Sequence, residues 1–232
     1  MAYTIAVAGK GGVGKTTVCG MMIDALIKGG KGPLLVVDAD ANSNLNEVLG
    51  VEAGVSLGPI REEIAQAELR GDTIPKSMTK ADYAEYRFES ALAEEDDFDM
   101  LVMGRTQGKG CYCYVNGVLK TLLDKYIGAY RYVVIDNEAG MEHIARGTLP
   151  HVDALLLVSD CSRRGVQAVA RAAACAVQAG PAILAIRAGI HVAQLELIPQ
   201  CGVGHAVPHV AQFVVGVAHE LVAGVQVAPG GH

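Results

Sequence analysis

Residues 3–17 read YTIAVAGKGGVGKTT. Residues 3–8 are nearly continuous in apolar side chains, which is typical of a strand buried on both faces of a sheet. Residues 9–17 match the pattern G-x-x-x-x-G-K-[ST], which binds phosphate where it follows a strand and opens a helix. The order of apolar run, glycine-rich loop and helical pattern therefore predicts a phosphate-binding loop.

Each residue type in this loop has a chemical reason to be there. Glycines let backbone N–H groups turn towards phosphate oxygens, and a helix N-terminus adds partial positive charge at the same place. Lys15 is expected to reach the β and γ phosphates, the Thr16 hydroxyl to coordinate magnesium, and Thr17 to contact the α phosphate. The sequence thus predicts binding of ATP with Mg²⁺. The nucleotide-binding residues of the loop are Gly9, Gly11, Gly12, Val13, Gly14, Lys15, Thr16 and Thr17.

Carboxylates follow two further apolar runs, where parallel sheets place ligand-binding residues. Asp38 and Asp40 follow one run, and Asp136 ends another. We expect Asp40 to orient the attacking water, Asp38 to lie near the magnesium shell, and Asp136 to hold magnesium through a water. Gly140 would let the next segment approach the γ phosphate. Capping of a helix is an alternative role for Asp40, and the two roles are compatible.

Alternation of apolar runs with helical patterns predicts an α/β fold, a single P-loop NTPase domain over residues 1–232. Its sheet should be mostly parallel, with helices on both faces. Residues 71–97 are polar and acidic, and we interpret them as a surface insertion. The predicted strands cover residues 3–8, 34–38, 100–103, 132–136, 154–158 and 182–186. The predicted helices cover Lys15–Lys28 and residues 61–70, 116–126 and 164–179.

The composition indicates a folded protein with a large apolar interior. Hydrophobic residues make up 51% of the 232 residues, and the formal net charge is −6. An acidic chain lacks the basic face of a large nucleic-acid interface, so no nucleic-acid partner is expected. There is neither an apolar run of membrane-spanning length nor a cleavable leader, so we expect a cytoplasmic protein without a membrane partner.

The last third of the chain is unusually poor in charge. Of the 19 Lys+Arg and 25 Asp+Glu residues, only Arg171, Arg187, Glu196 and Glu220 lie after residue 165. A soluble domain normally distributes charges over its whole surface. Two explanations remain open: a buried edge or dimer contact, and a tail that departs from the ancestral reading frame.

Six cysteines in a reducing compartment are free thiols, core residues or metal ligands rather than disulfides. Cys19 and three others lie among apolar or small residues and are expected to be inert. Cys111 and Cys113 are separated by one residue, so their thiolates can converge on a metal such as nickel or zinc. One pair supplies only two soft ligands, whereas a twofold dimer would supply four. Incidental or redox-active cysteines are the alternative.

Together with the phosphate loop, GCYC at 110–113, DNEAGMEH at 136–143 and SRRG at 162–165 carry a family resemblance. Residues 3 to about 170 resemble the CooC-type carbon monoxide dehydrogenase maturation ATPases. These belong to the deviant Walker A class, with the MinD/ParA ATPases and the nitrogenase iron protein. The strand near residue 187 lacks the asparagine with which that class reads adenine.

The resemblance implies a homodimer that hydrolyses ATP and helps to load nickel into a client enzyme. The client would be carbon monoxide dehydrogenase or acetyl-CoA synthase. Metal would bind between subunits at Cys111 and Cys113, while Lys10 would reach the nucleotide of the other subunit as a catalytic cation. Catalysis would thus rest on Lys10, Lys15 and Asp40.

Two other functions are compatible with the class. An electron-transferring iron protein would hold a cluster across the dimer, but with cysteines well separated in sequence. A positioning or regulatory ATPase would carry no metal and would need a basic surface or a basic amphipathic tail. Iron analysis, and sedimentation with lipid or DNA, would distinguish these from a nickel carrier.

Overall fold

The computed structural model describes residues 2–40, 42, 44–52, 54–70, 74–75, 77–104, 124–137, 152–160, 162–176, 182–187 and 194–197. Within them, eight strands form one sheet in the order β3-β4-β2-β5-β1-β6-β7-β8. The six inner strands are parallel, while β3 and β8 pair antiparallel to β4 and β7 at the two edges. The strands are β1 (Tyr3–Gly9), β2 (Leu34–Ala39), β3 (Leu92–Glu94), β4 (Asp99–Val102), β5 (Tyr132–Asn137), β6 (Ala154–Ser159), β7 (Ala182–Arg187) and β8 (Gln194–Leu197).

Helices cover both faces of this sheet, as the α/β prediction requires. Side chains alternate between the faces, so neighbouring residues of β1 join different apolar clusters: Ile5 packs on one face and Ala6 on the other. The expected α/β architecture with a mostly parallel sheet is confirmed. The helices are α1 (Lys15–Lys28), α2 (Leu45–Leu49), α3 (Leu57–Arg70), α4 (Lys80–Glu89) and α5 (Arg163–Ala176).

Helix α1 covers the first face through an apolar stripe that includes Cys19, Ile23 and Leu26. These side chains are at most 1% exposed, and burying each Ile or Leu contributes about 1.5–3 kcal/mol. Cys19 is a buried free thiol, as the sequence indicates, and burial raises its pKa well above the ordinary value. Because α1 is anchored along its whole length, the loop in front of it has a fixed base.

The second face shows that the interpretation of residues 71–97 as a surface insertion is wrong. Helix α4 begins with a capping box in which Thr79 and Asp82 exchange hydrogen bonds, and β3 extends the sheet. Phe88 of α4 is 1% exposed and packs in the same cluster as α3. The segment looks polar because α4 is amphipathic and shows its charged side to solvent.

Other boundaries differ modestly from the predictions. Helix α3 begins at Leu57, four residues early, and α2 and β8 were not expected. Of the helix predicted at 116–126, residues 124–126 lie in a helical turn at 124–127, while 116–123 lie outside the described residues. The charge-poor tail beyond residue 197 also lies outside them. No helix in the described ranges has both the length and the apolar character needed to cross a bilayer.

Because the central strands are parallel, their carboxyl ends all lie at the same end of the strands, next to one another. Asp38 of β2 lies opposite Asp136 of β5, which in turn lies opposite Val7 of β1. On the other side of β1, Gly9 lies opposite Val158 of β6. The fold thus assembles residues from four separate chain segments around the start of α1.

Candidate functional site

The glycine-rich loop has the backbone shape that phosphate binding needs. Gly12 and Gly14 adopt φ of +78° and +88°, a left-handed conformation that favours glycine, and no atom lies within 4 Å of where their Cβ atoms would be. At Gly9 a Cβ would lie 2.1 Å from the main-chain oxygen of Val158, so only glycine permits the close approach of β1 to β6. Val13 is buried at 8% exposure and anchors the loop to the core beneath it.

The helix that follows presents an uncompensated N-terminus. Gly14, its N-cap, makes no side-chain capping hydrogen bond, and the first turn contains no acidic residue. The first N–H groups and the positive end of the helix dipole therefore remain available to an anion. Thr16 and Thr17 lie in this turn, the former half-buried and the latter exposed.

Lys15 is a buried cation that spans the loop. It is 6% exposed, and its Nζ donates to the main-chain oxygen of Lys10 at 3.4 Å. An ammonium group is rarely buried without compensating negative charge. This placement fits a lysine that meets phosphate oxygens.

The environment of Asp136 shows whether the residues present fit a magnesium ion. It is 1% exposed, and its Oδ1 has no hydrogen-bond partner. Burial raises the pKa of Asp136 to about 6, although a hydrogen bond from Thr16 opposes the rise; nearby Asp38 adds to it and Lys15 lowers it. A buried oxygen without a donor, next to a threonine hydroxyl, fits the oxygen ligands that Mg²⁺ takes directly or through water.

Asp38 and Asp40 lie in a tight turn after β2. Asp38 is fully buried; its Oδ1 accepts from the Asp40 N–H at 3.0 Å, and its Oδ2 from the Leu45 N–H at 3.1 Å. Burial raises the pKa of Asp38, and these two hydrogen bonds oppose the rise. Asp40 is half-buried, and its Oδ1 accepts from the Asn42 N–H at 2.8 Å. Both carboxylates therefore organise the turn.

Lys10 is exposed at the tip of the loop, where it could reach another molecule. On the neighbouring strand end, the Ser162 hydroxyl and N–H hold the pKa of Asp160 below its usual range, and the Lys10 charge adds to this effect. Asp160 accepts from both Ser162 groups, at 2.5 and 3.0 Å, and Gly165 leaves room for its carboxylate. This acidic neighbour of Lys10 was not anticipated, although it too directly follows a buried strand.

The structure brings together most of the residues expected from the sequence. The loop, the Thr16–Asp136 contact and the Asp38–Asp40 turn all lie at the carboxyl ends of the central strands. Gly140, Cys111 and Cys113 lie outside the described residues. Among the described residues, no three His, Cys, Asp or Glu side chains form a metal-binding group.

Asn137 is a site residue that the sequence prediction missed. Its Nδ2 donates to the main-chain oxygen of Val7 at 3.1 Å, while its Oδ1 is buried without a partner. It therefore ties the end of β5 to the strand that leads into the loop. Its place in the DNEAGMEH stretch at 136–143, directly after Asp136, was the available signal.

Two known proteins are similar to this chain in sequence. The chain is 48% identical over 162 residues to the uncharacterized ATP-binding protein MJ0685 of Methanocaldococcus jannaschii, covering 70% of this chain and 63% of that protein. It is 33% identical over 179 residues to the carbon monoxide dehydrogenase accessory protein CooC of Rhodospirillum rubrum, covering 72% and 66%. The chain thus spans just under two thirds of the length of these relatives.

Comparison with solved structures supports the assignment of an α/β fold. The MinC:MinD cell division protein complex of Aquifex aeolicus superposes with a TM-score of 0.56 at 20% identity, covering 80% of this chain and 68% of that one. At this identity the match shows a shared fold and nothing about partners. A family model described as an AAA domain, AAA_31, matches residues 2–177. With its phosphate-binding loop and MinD-like α/β fold, the chain belongs to this AAA domain family.

Proposed function

We propose that this protein is an ATP-dependent, nickel-binding maturation factor that hydrolyses ATP as a homodimer and assists nickel insertion into carbon monoxide dehydrogenase. The phosphate-binding loop with buried Lys15 is the observation that carries the nucleotide-dependent part. The relative CooC, an accessory protein of carbon monoxide dehydrogenase, supports the choice of client. Acetyl-CoA synthase is the alternative client.

The described residues account for binding of the nucleotide. Backbone N–H groups from Gly9 to Thr17 would surround the phosphates, and the Lys15 ammonium would neutralise the β and γ oxygens. Thr16 and Asp136 would hold magnesium, with Asp136 acting through a water. Bound magnesium supplies charge neutralisation for the leaving phosphate oxygens.

Hydrolysis would need two further groups. Asp40 would orient the attacking water, and its carboxylate is already held by the Asn42 N–H. Lys10 would complete the nucleotide site of the partner subunit, because its side chain is exposed at the loop tip. Such a cation supplied by a partner accelerates related reactions on the order of 10³–10⁵-fold.

Nickel is the cargo rather than a resident cofactor. Cys111 and Cys113 supply two thiolates per chain, so a twofold dimer would offer four soft ligands at one position. Metal binding and dimerisation would then be one event. Zinc accepts the same ligands and is a competitor for the site.

An anaerobic nickel titration with mass determination in solution tests the proposal. We expect one nickel per two chains and metal-driven dimerisation in the wild type. Both should be lost in Cys111→Ser/Cys113→Ser. Cys201→Ser is the control for loss of a thiol elsewhere in the chain and should bind as the wild type does. A parallel zinc titration ranks the two metals.

Absence of metal binding in folded, ATP-binding protein would contradict the nickel proposal. The remaining candidate would be a positioning or regulatory ATPase without metal. This candidate is compatible with the fold that the chain shares with the matched chain of the MinC:MinD complex structure. Iron bound with a visible absorption band would instead indicate an electron-transferring iron protein.

A further inference from the structure

We propose that Asp38 is a positioning residue for Asp40 rather than a magnesium ligand, an inference that rests on the proposed hydrolysis of ATP at this site. Asp38 is 0% exposed at the carboxyl end of β2. Each of its carboxylate oxygens accepts a different backbone N–H, from Asp40 at 3.0 Å and from Leu45 at 3.1 Å. One side chain thus holds both ends of the turn that contains Asp40.

The far end of this turn depends on Asp38. Leu45 is the first residue of α2, and Asn44, which precedes it, makes no side-chain capping hydrogen bond. The Asp38 carboxylate therefore takes the place of a local cap, with a carboxylate at the N-terminus of the helix, where it is favoured. Leu45 itself is 0% exposed, so this end of the turn is also anchored in the core.

The hydrogen bond at the start of this turn determines how the backbone of Asp40 is oriented. The hydrogen bond from the Asp40 N–H closes an Asx turn, which fixes the backbone at residue 40. A second Asx turn follows, in which Asp40 Oδ1 accepts from the Asn42 N–H at 2.8 Å. Two consecutive turns thus orient the carboxylate that is proposed to align water.

Asp38 is also held from behind by the sheet. Its main-chain oxygen accepts from the Met103 N–H at 2.8 Å, at the end of β4. The residue therefore has little freedom to move towards a ligand without breaking sheet contacts as well as the turn. A carboxylate with a rigid backbone is suited to hold a neighbouring loop in place.

Asp136, opposite Asp38 in the sheet, shows the contrasting pattern. Asp136 Oδ1 is buried and has no partner, whereas both oxygens of Asp38 accept from the backbone. An unpaired oxygen needs a donor or a cation, and a paired one does not. The geometry assigns magnesium to Asp136 and positioning to Asp38.

The variant Asp38→Asn separates these roles. An amide has one acceptor oxygen, so it satisfies only one of the two N–H groups and turns its own NH₂ towards the other. We expect kcat to fall on the order of 10²-fold through misplacement of Asp40. KM for ATP and the magnesium dependence of nucleotide binding should stay as in the wild type.

Asp136→Asn is the matched control, because it makes the same chemical change at the opposite position of the neighbouring strand. It should weaken the magnesium dependence of nucleotide binding. In an Asp40→Asn background, Asp38→Asn should cost little further activity, since the residue that it positions is already disabled. A magnesium defect in Asp38→Asn equal to that of Asp136→Asn, or an unchanged kcat, would overturn the assignment.

Hydrogen exchange on the wild type tests the inference even if the variant does not fold. The amide hydrogens of Asp40 and Leu45 should be protected in the nucleotide-free protein, and chelation of magnesium should not alter this. Rapid exchange at both amides would refute the positioning role. Failure of the wild type to hydrolyse ATP would refute the proposed function, while the exchange result would still decide the role of Asp38 in the turn.

Discussion

At the scale of single residues, the site contains two carboxylates, Asp38 and Asp136, that the fold has removed from water. Asp136 is 1% exposed, and burial raises its pKa to about 6. Lys15, 6% exposed, is the nearby buried cation that lowers this pKa. One oxygen of this carboxylate, Oδ1, has no hydrogen-bond donor and is therefore open to a divalent cation or its water. The burial that suits Asp136 to its proposed role at magnesium therefore also makes it sensitive to pH.

This pKa predicts how magnesium binding depends on pH. The ionised carboxylate is the form proposed to hold magnesium through a water, so the magnesium affinity of the site should fall as the pH drops below about 6. It should change little above pH 7. Titration of magnesium against a fluorescent ATP analogue between pH 5 and 8 measures this, with Asp136→Asn as the control that leaves only the pH dependence of the nucleotide's own phosphates. The same pH dependence in the wild type and in Asp136→Asn would contradict the prediction.

The same pKa affects the stability of the free protein with a definite sign. Native Asp136 binds its proton up to about pH 6, whereas the unfolded chain releases it at the ordinary, lower pKa. The native state therefore holds the extra proton between those values. The contribution of this group to the free energy of unfolding decreases as pH rises through that window and is constant above it.

At the scale of secondary-structure elements, α4 shows how a polar segment can belong to the core. One face of α4 buries Phe88 against Tyr126, with ring centroids 5.2 Å apart. The other face carries Tyr86, which is 53% exposed. An ion pair in which Lys125 donates to Glu85, and a hydrogen bond in which the Tyr126 hydroxyl donates to Glu89, join α4 to the segment before β5.

Replacement of Phe88 tests the core role of α4. Phe88→Ala should lower the free energy of unfolding by about 3–5 kcal/mol, because it leaves a cavity in a packed cluster. Tyr86→Ala, an aromatic loss on the same helix, should change it by less than about 0.5 kcal/mol. Urea unfolding measures both. Equally small effects would restore the interpretation of this segment as a surface insertion.

At the scale of the whole molecule, the central question is whether two chains complete one another. Lys10 is exposed, while Lys15 is buried in its own loop. This difference is the basis for the proposal that Lys15 acts on the nucleotide of its own chain and Lys10 on that of a partner. The single domain over residues 1–232 remains a prediction, although the described strands all belong to one sheet.

Mixing two inactive variants tests sharing of Lys10 between subunits. Lys10→Ala lacks the cation proposed to act across the dimer, and Asp40→Asn lacks the carboxylate proposed to orient water, so each variant alone should be nearly inactive. A mixed dimer regains one complete site, and random exchange should therefore restore roughly a quarter of the wild-type ATPase rate. No recovery upon mixing, with dimers shown to exchange, would place Lys10 in its own subunit's site.

The phosphate loop could be predicted from the sequence because its geometry is local. Gly12 and Gly14 need a left-handed backbone that glycine provides, and Lys15 opens the helix by its place in the motif. The central strands were also predictable, since apolar runs buried on both faces look alike in any parallel sheet. These features depend on residues that are neighbours in the chain.

The rest was decided by contacts that the linear order of the residues does not reveal. Asp38 binds the N–H of Leu45, Asn137 binds the oxygen of Val7, and Asp136 keeps an unpaired oxygen. The core role of Phe88 depends likewise on α3 and the segment before β5. The sequence alone determined the loop and the fold class. Burial and hydrogen bonding could not be predicted in the same way, because they depend on which atoms approach one another in space. Only the tertiary structure decided which carboxylate holds the turn and which one fits a metal.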